Sequence, residues 1–243
     1  MSEGAHQESL ERVKAREKIL PGELVPEKSR VFIVDDHTMF REGLRQLIEC
    51  EAGLTVCGDA PDAVEALRGI HTSNPDVVIV DISLAGSNGI DLIKDIKAQF
   101  EELPVLVVSM HDESVYAERA LRAGAMGYVM KHEPAKTVKA AVHKVLGGDM
   151  YLSEKMSSSV INRFMRGDTE QPKSPMETLS ARELEVFRLL GRGKAVRQIA
   201  EELSVTIPTV NSFRNRIKEK LGLKTSTEVM LHAIQWVQGD GSR

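Results

Sequence analysis

Five side chains in this sequence could act together on a phosphoryl group. They are the paired carboxylates Asp35-Asp36, the single carboxylate Asp81, the hydroxyl of Ser109 and the ammonium of Lys131. Each follows or closes a short apolar run: Val31–Val34 before Asp35, Val77–Val80 before Asp81, Val105–Val108 before Ser109, and Tyr128–Met130 before Lys131. Three carboxylates held close together repel one another. A bound divalent cation relieves that repulsion, and Mg²⁺ favours such oxygen ligands together with water. A carboxylate nucleophile, a metal and an ammonium group suit phosphoryl transfer to an aspartate, with the cations offsetting the developing charge. Any one of these residues alone has a plainer reading. An Asp before a helix is a common cap, and a lone Lys is commonly a solvated surface group. Five such groups delivered by successive apolar runs carry the stronger reading.

To bring them together, the runs must be strands of one parallel sheet. The four runs named, with Leu54–Cys57, are short, rich in β-branched residues and apolar on both faces. Between them lie helical patterns at Met39–Ile48, Ala63–Ile70, Ile90–Phe100, Val115–Ala123 and Val138–Leu146. This alternation predicts an α/β fold, a doubly wound five-stranded parallel sheet covered on both faces. Ligands in such sheets sit beyond the carboxyl ends of the strands. The second strand alone brings no polar group to that rim.

The chain has 243 residues, enough for two modest domains. With 42% hydrophobic and 28% charged residues, it has the composition of an ordinary globular protein. Its longest wholly aliphatic runs are four residues, Val77–Val80 and Val105–Val108, far short of the ~20 that span a bilayer. The N-terminus is polar and shows no signal-peptide pattern, so a cytoplasmic location is expected. Two cysteines, Cys50 and Cys57, are too few for a disulfide framework and are expected to be buried thiols. Net charge is −4, unevenly spread: residues 30–150 carry −7 and residues 174–243 carry +3. An acidic body that could hold a cation thus precedes a basic tail that could meet a polyanion. No HExxH spacing, Walker loop or dinucleotide fingerprint is present, which argues against a zinc or nucleotide enzyme. His37 and His111 lie near the acidic rim and are expected to be solvated or supporting groups.

Residues 1–29 are charged and broken by Pro21-Gly22 and Pro26, and read as an N-terminal extension. Residues 149–178, polar and holding Pro172 and Pro175, read as a linker. From Leu179 to about residue 238 no strand signal remains, and about four short helices are expected. Ser180 with Glu183 makes a capping box. Gly191 and Gly193 close the first helix. A short helix with Ile199, Ala200 and Leu203 inward is followed by the turn Ser204-Val205 and a helix capped by Thr206, with Pro208 in its first turn. Two short helices across a tight turn make a helix-turn-helix. The second carries Thr209, Asn211, Ser212 and Asn215 near its start and Arg214, Arg216, Lys218 and Lys220 further on. Polar groups able to read base edges and cations able to meet phosphates suit a DNA recognition helix.

The segments VFIVDDHTMFREGL, VVIVDISLAGSNGIDLI, VLVVSMHD and AMGYVMKHEPAKTV resemble the receiver domain of bacterial response regulators, over residues 30–148. The resemblance implies that Asp81 is the phosphoacceptor. It implies that Asp35, Asp36, Asp81 and the backbone carbonyl of Ser83 hold Mg²⁺. Ser109 and Lys131 would contact the phosphoryl group, and the rotamer of Tyr128 would follow Ser109. The donor would be a phosphohistidine on a sensor histidine kinase, and the protein would be a regulator rather than an enzyme. The family usually has Pro where this chain has Ala85, although it keeps Gly89. It often has Pro after the lysine, where this chain has His132; a cis bond there would cost about 3 kcal/mol without Pro.

Residues 179–236 resemble the LuxR-type helix-turn-helix of NarL/FixJ response regulators, through Leu179–Glu183, Gln198–Ala200, Thr209-Val210 and Lys220–Leu223. By resemblance Asn211, Ser212 and Asn215 are the base-facing positions. Val229, Met230, Ala233 and Trp236 resemble the family's dimerisation helix, implying a homodimer on promoter DNA when phosphorylated. Asn211 and Phe213 stand where Lys and His are frequent. Ala195 stands where a Ser or Thr cap is usual, at a cost near ~1 kcal/mol. The resulting expectation is a phosphorylation-controlled DNA-binding transcription regulator. An alternative keeps the receiver as an interaction or phosphotransfer module whose tail dimerises without reading DNA. Steep salt dependence of DNA affinity separates the two.

Overall fold

The computed structural model describes residues 28–84, 86–158 and 175–240. Ala85, most of the N-terminal extension and most of the expected linker lie outside the described residues. Five strands form one parallel sheet: β1 (Ser29–Val34), β2 (Leu54–Ala60), β3 (Val77–Val80), β4 (Val105–Ser109) and β5 (Gly127–Met130), in the order β2-β1-β3-β4-β5. Five helices alternate with them: α1 (Thr38–Glu49), α2 (Ala63–Ser73), α3 (Gly89–Gln99), α4 (Glu113–Arg122) and α5 (Ala135–Leu146). The predicted doubly wound architecture is therefore present. The strand order switches beside β1, and the rim of the sheet opens there.

The central strands have no solvent face. All four side chains of β3 and all five of β4 are buried. Each buried Val or Ile contributes roughly 1.5–3 kcal/mol, enough to explain why an unbroken aliphatic run settles in the middle of the sheet. Helix starts are set by short polar caps: Asp62 accepts from the backbone N–H of Val64 and Glu65, Asn88 from Ile90, and Asp112 from Ser114. The Lys131–His132 bond is trans, as are the peptide bonds of all described residues.

After α5 the chain returns to the receiver body. Tyr151 bridges to Gly127, residues 154–158 are helical, and Met156 is buried. Part of the segment expected as linker thus packs on the sheet.

The C-terminal part is helical: α6 (Ala181–Gly191), α7 (Val196–Glu202), α8 (Ile207–Lys220) and α9 (Ser226–Asp240), preceded by a 3₁₀ turn at Pro175–Thr178. Ser180 and Glu183 form the predicted capping box at α6. Thr206 caps α8, and Pro208 lies in its first turn. Ser204, at φ 50°, makes the tight turn between α7 and α8. Ala195 supplies no side-chain cap to α7. Half of the box survives, because Gln198 Oε1 accepts from the Ala195 N–H at 2.9 Å. Gly191 serves packing as well as helix termination: a Cβ there would fall on the Ala233 carbonyl of α9. Gly193, at φ 76°, makes the left-handed turn after the helix.

Two expectations are corrected. Cys50 is exposed at the end of α1 and Cys57 half-buried; both are free thiols, and position at a helix end leaves Cys50 in solvent. Val229 and Ala233, assigned to a dimer face, are buried in the helical domain's own core where α9 crosses α6. Of that set, Met230 is exposed, and Trp236 packs against Phe187 at 5.9 Å between ring centroids.

Candidate functional site

Sheet register assembles the site. Val34 pairs with Val80, and Val80 with Val107. The Asp81 N–H donates to the Val34 carbonyl at 2.9 Å, so Asp35 and Asp81 leave their strands side by side. On the other side, the Lys131 N–H donates to the Ser109 carbonyl at 2.8 Å. Gly89 allows the loop after β3 to turn back under Asp81. A Cβ at Gly89 would fall on the Asp81 carbonyl, so only glycine fits.

Lys131 Nζ lies 2.6 Å from Asp35 Oδ2 and 2.6 Å from Asp81 Oδ2, with all three side chains buried. Its ammonium also sits 4.3 Å from the Phe40 ring centroid, a cation–π contact. Ser109 Oγ donates to Asp81 Oδ1 at 2.7 Å. The His37 N–H donates to Asp35 Oδ1 at 2.9 Å. Burial raises the Asp35 carboxyl above the ordinary range, against the opposing pull of Lys131.

One carboxylate oxygen of each of Asp35, Asp36 and Asp81, with a ring nitrogen of His37, lie within 4.8 Å of one another. Asp36 Oδ1 is closed off from solvent. It makes no hydrogen bond, and its near neighbour is His37 Nδ1 at 2.8 Å, without hydrogen-bond geometry. A hard divalent cation accepts this donor set and would satisfy that oxygen.

Tyr128 is buried, and its hydroxyl donates to the His111 carbonyl at 2.8 Å. Of the two roles expected for His111, it takes the supporting one and is not solvated. It is 3% exposed, its ring stacked on Tyr116 with centroids 4.5 Å apart. Burial, reinforced by Arg188 and other nearby cations, lowers its pKa to about 3, so the imidazole is neutral. His111 Nε2 lies 2.7 Å from Ser83 Oγ, and Ser83 Oγ donates to Glu185 Oε1 at 3.0 Å. Both bonds are satisfied when the imidazole carries its proton on Nε2.

Glu185 belongs to α6, so this chain of contacts joins the acidic rim to the helical domain. Arg182 extends it, donating to Glu185 Oε2 at 2.8 Å and to the Leu84 carbonyl at 3.1 Å. Arg119 of α4 donates to the carbonyls of Leu179 and Met176, both at 2.6 Å. Sequence reasoning missed His111, Arg119, Arg182 and Glu185 as a group.

The residues expected to face bases lie on α8. Val210 and Ile217 anchor the helix in the core, and Asn211, Ser212, Asn215 and Arg216 are exposed on the opposite side. Thr209, Arg214 and Lys218 are half-buried; Arg214 Nη1 donates to Asn211 Oδ1 at 3.2 Å. Lys220 Nζ pairs with Glu183 at 2.6 Å, tying α8 to the start of α6. No helix among the described residues is long and apolar enough to cross a membrane.

Comparison with known proteins agrees with this geometry. Residues 31–143 match the response regulator receiver domain, and residues 177–233 match the bacterial regulatory proteins of the luxR family. The chain is 33% identical over 210 residues to the oxygen regulatory protein NreC of Staphylococcus carnosus (strain TM300), covering 85% of this chain and 97% of that protein. Among solved structures it is similar to a LuxR-family two-component response regulator from Aurantimonas sp. SI85-9A1, with TM-score 0.53 and 33% identity, covering 57% of this chain and 99% of that one. It is also similar to RcsB from Salmonella enterica serovar Typhimurium bound to promoter P1flhDC with the phosphomimetic BeF₃⁻, with TM-score 0.52 and 27% identity, covering 85% and 98% of the two chains. Acidic rim, five-stranded receiver and helix-turn-helix together place the chain in a family: it belongs to the NarL/FixJ-type response regulators, with a receiver domain followed by a LuxR-type DNA-binding domain.

Proposed function

We propose that Asp81 accepts a phosphoryl group from the phosphohistidine of a sensor kinase and that this changes how the chain engages promoter DNA in the cytoplasm. The observation that carries the reading is the seating of Asp81, held by Ser109 at 2.7 Å and Lys131 at 2.6 Å at the open rim of the sheet. An Asp81 oxygen attacks phosphorus and a P–O bond forms as the P–N bond to the kinase breaks; the electron pair stays on that nitrogen, and the imidazole, already protonated on its other nitrogen, leaves neutral. Mg²⁺, held by Asp35, Asp36, Asp81 and the Ser83 carbonyl, would offset charge on the transferring group. Lys131, 2.6 Å from Asp81 Oδ2, meets the phosphoryl oxygens. Ser109 moves its hydrogen bond from the carboxylate to the phosphoryl group.

Ser109 and His111 are two residues apart, and the Tyr128 hydroxyl bonds the His111 carbonyl. A shift of Ser109 therefore reaches Tyr128 and the His111–Ser83–Glu185 contacts. A receiver of residues 30–148, joined through residues 149–178 to a reader of residues 179–238, would use that shift to change domain docking and favour a homodimer. The reader's contacts are assigned to Thr209, Asn211, Ser212, Arg214, Asn215, Arg216 and Lys218. Met230 and Trp236 remain the α9 candidates for dimer contact.

The test measures promoter affinity of the parent and Asp81→Asn, with and without a small phosphodonor and Mg²⁺, at several salt concentrations. The donor is expected to raise parent affinity and leave Asp81→Asn unchanged, with affinity falling steeply as salt rises. Equal affinity of the parent with and without donor would sink the coupling. A flat salt response would favour a tail that dimerises without reading DNA.

A further inference from the structure

A cavity of about 410 Å³ lies where the start of α4, the end of α6 and the C-terminal part of α9 converge. It is separate from the acidic rim and takes lining residues from both domains. Its size falls in the range of small-molecule sites.

The polar lining is nearly all donor. Tyr116 is 1% exposed, and its hydroxyl has no hydrogen-bond partner. Arg188 Nε is likewise shut off from solvent and unpartnered. Arg192 and Lys155 bring two further cations. One carboxylate, Asp112, lines the cavity, and as the N-cap of α4 its Oδ1 already accepts from the N–H and hydroxyl of Ser114. Three cations face one carboxylate. A buried hydroxyl and a buried guanidinium N–H left without acceptors cost free energy that an incoming oxyanion would recover. The remaining wall is apolar, with the Trp236 ring, Val115 and Val237.

We propose that this cavity is a binding site for a small organic anion, a carboxylate or phosphate carried on an apolar or aromatic body. The anionic oxygens meet Arg188, Arg192 and the Tyr116 hydroxyl, and the body lies against Trp236. Because the site is built by both domains, an occupant binds their docked arrangement better than a parted one and stabilises docking. This gives the regulator a chemical input that is independent of Asp81.

Trp236 is the single tryptophan of the chain, so its emission reports the site. The full-length protein is titrated with phenylphosphonate, whose P–C bond cannot donate a phosphoryl group, in EDTA to keep the acidic rim free of cations. Neutral benzamide serves as the control. A saturable change in emission with phenylphosphonate, at least tenfold weaker in Arg188→Gln/Arg192→Gln and absent with benzamide, is expected. No saturable change in the parent overturns the proposal, as does an equal response to benzamide. Parent-like affinity in a double variant that melts as the parent does also overturns it. If the double variant does not fold, Arg192→Gln is titrated instead, and unchanged affinity there has the same consequence.

Discussion

The Ser83 hydroxyl donates a 3.0 Å hydrogen bond to Glu185, 102 residues further along the chain. Ser83 sits two residues after Asp81 in the loop that would present a backbone carbonyl to the metal. Glu185 is buried within the first helix of the DNA-binding domain. One residue therefore joins the acidic rim to the helical domain: its backbone N–H lies 3.4 Å from Asp81 Oδ1, and its hydroxyl reaches Glu185.

Ser83→Ala removes that hydroxyl and leaves the backbone carbonyl in place. Glu185 and His111 each lose a partner in a buried setting, and a hydrogen bond to a charged group contributes about 1.5–3 kcal/mol. Phosphorylation of Asp81 by a small donor is expected to proceed as in the parent. Domain docking is expected to weaken by roughly tenfold or more, measured as greater quenching of Trp236 by acrylamide. Unchanged quenching would remove Ser83 from the coupling.

His111 sets a pH dependence. Its folded pKa of about 3 lies below the ordinary value of 6.5, so the unfolded chain binds this proton first as pH falls. The stability it contributes is full above about pH 6.5, is lost progressively between there and about pH 3, and changes no further below that. Across that window the parent should lose up to about 1.4 kcal/mol per pH unit from this one residue. Urea midpoints of the parent and His111→Asn, compared from pH 7 to pH 4, should show the shallower slope in the variant.

Lys131→Met takes the counter-charge from two buried carboxylates. Burial already raises Asp35, and loss of Lys131 raises it further. A group raised in the folded state contributes most at low pH, and its contribution is lost as pH rises through the folded pKa. The variant should therefore be closest to the parent in acid and destabilised by about 3–5 kcal/mol at neutral pH. Millimolar Mg²⁺ should stabilise the variant more than the parent, since the ion then replaces the missing charge. Thermal melts at two pH values, each with Mg²⁺ or EDTA, check both statements.

Two substitutions in the helical domain have opposite signs. Ala195→Ser supplies the missing cap of α7 and should stabilise by about 1 kcal/mol. Gly191→Ala drives a methyl group into the Ala233 carbonyl and should destabilise by about 1–3 kcal/mol through displacement of α9. Chemical denaturation of the full chain reads both.

The sheet was legible because its signals are local. Val77–Val80 and Val105–Val108 are β-branched runs with no polar face, and the carboxylates, Ser109 and Lys131 follow from where such runs stop. Caps such as Asp62, Ser180 and Thr206 act on N–H groups two or three residues away, so they too are visible in the chain. The burial of His111 was not, because it depends on Tyr116 and on Glu185 arriving from another domain. Val229 and Ala233 carry an apolar pattern that fits either a subunit interface or an internal core. Their burial is decided by how closely α9 approaches Gly191, a distance that periodicity does not encode.

The docked arrangement grips α6 and leaves Asn211, Ser212, Asn215 and Arg216 of α8 in solvent. Docking through α6 therefore does not cover these four side chains. If α8 reads DNA as proposed, phosphorylation would then act by pairing two such edges on half-sites one helical turn apart rather than by uncovering them.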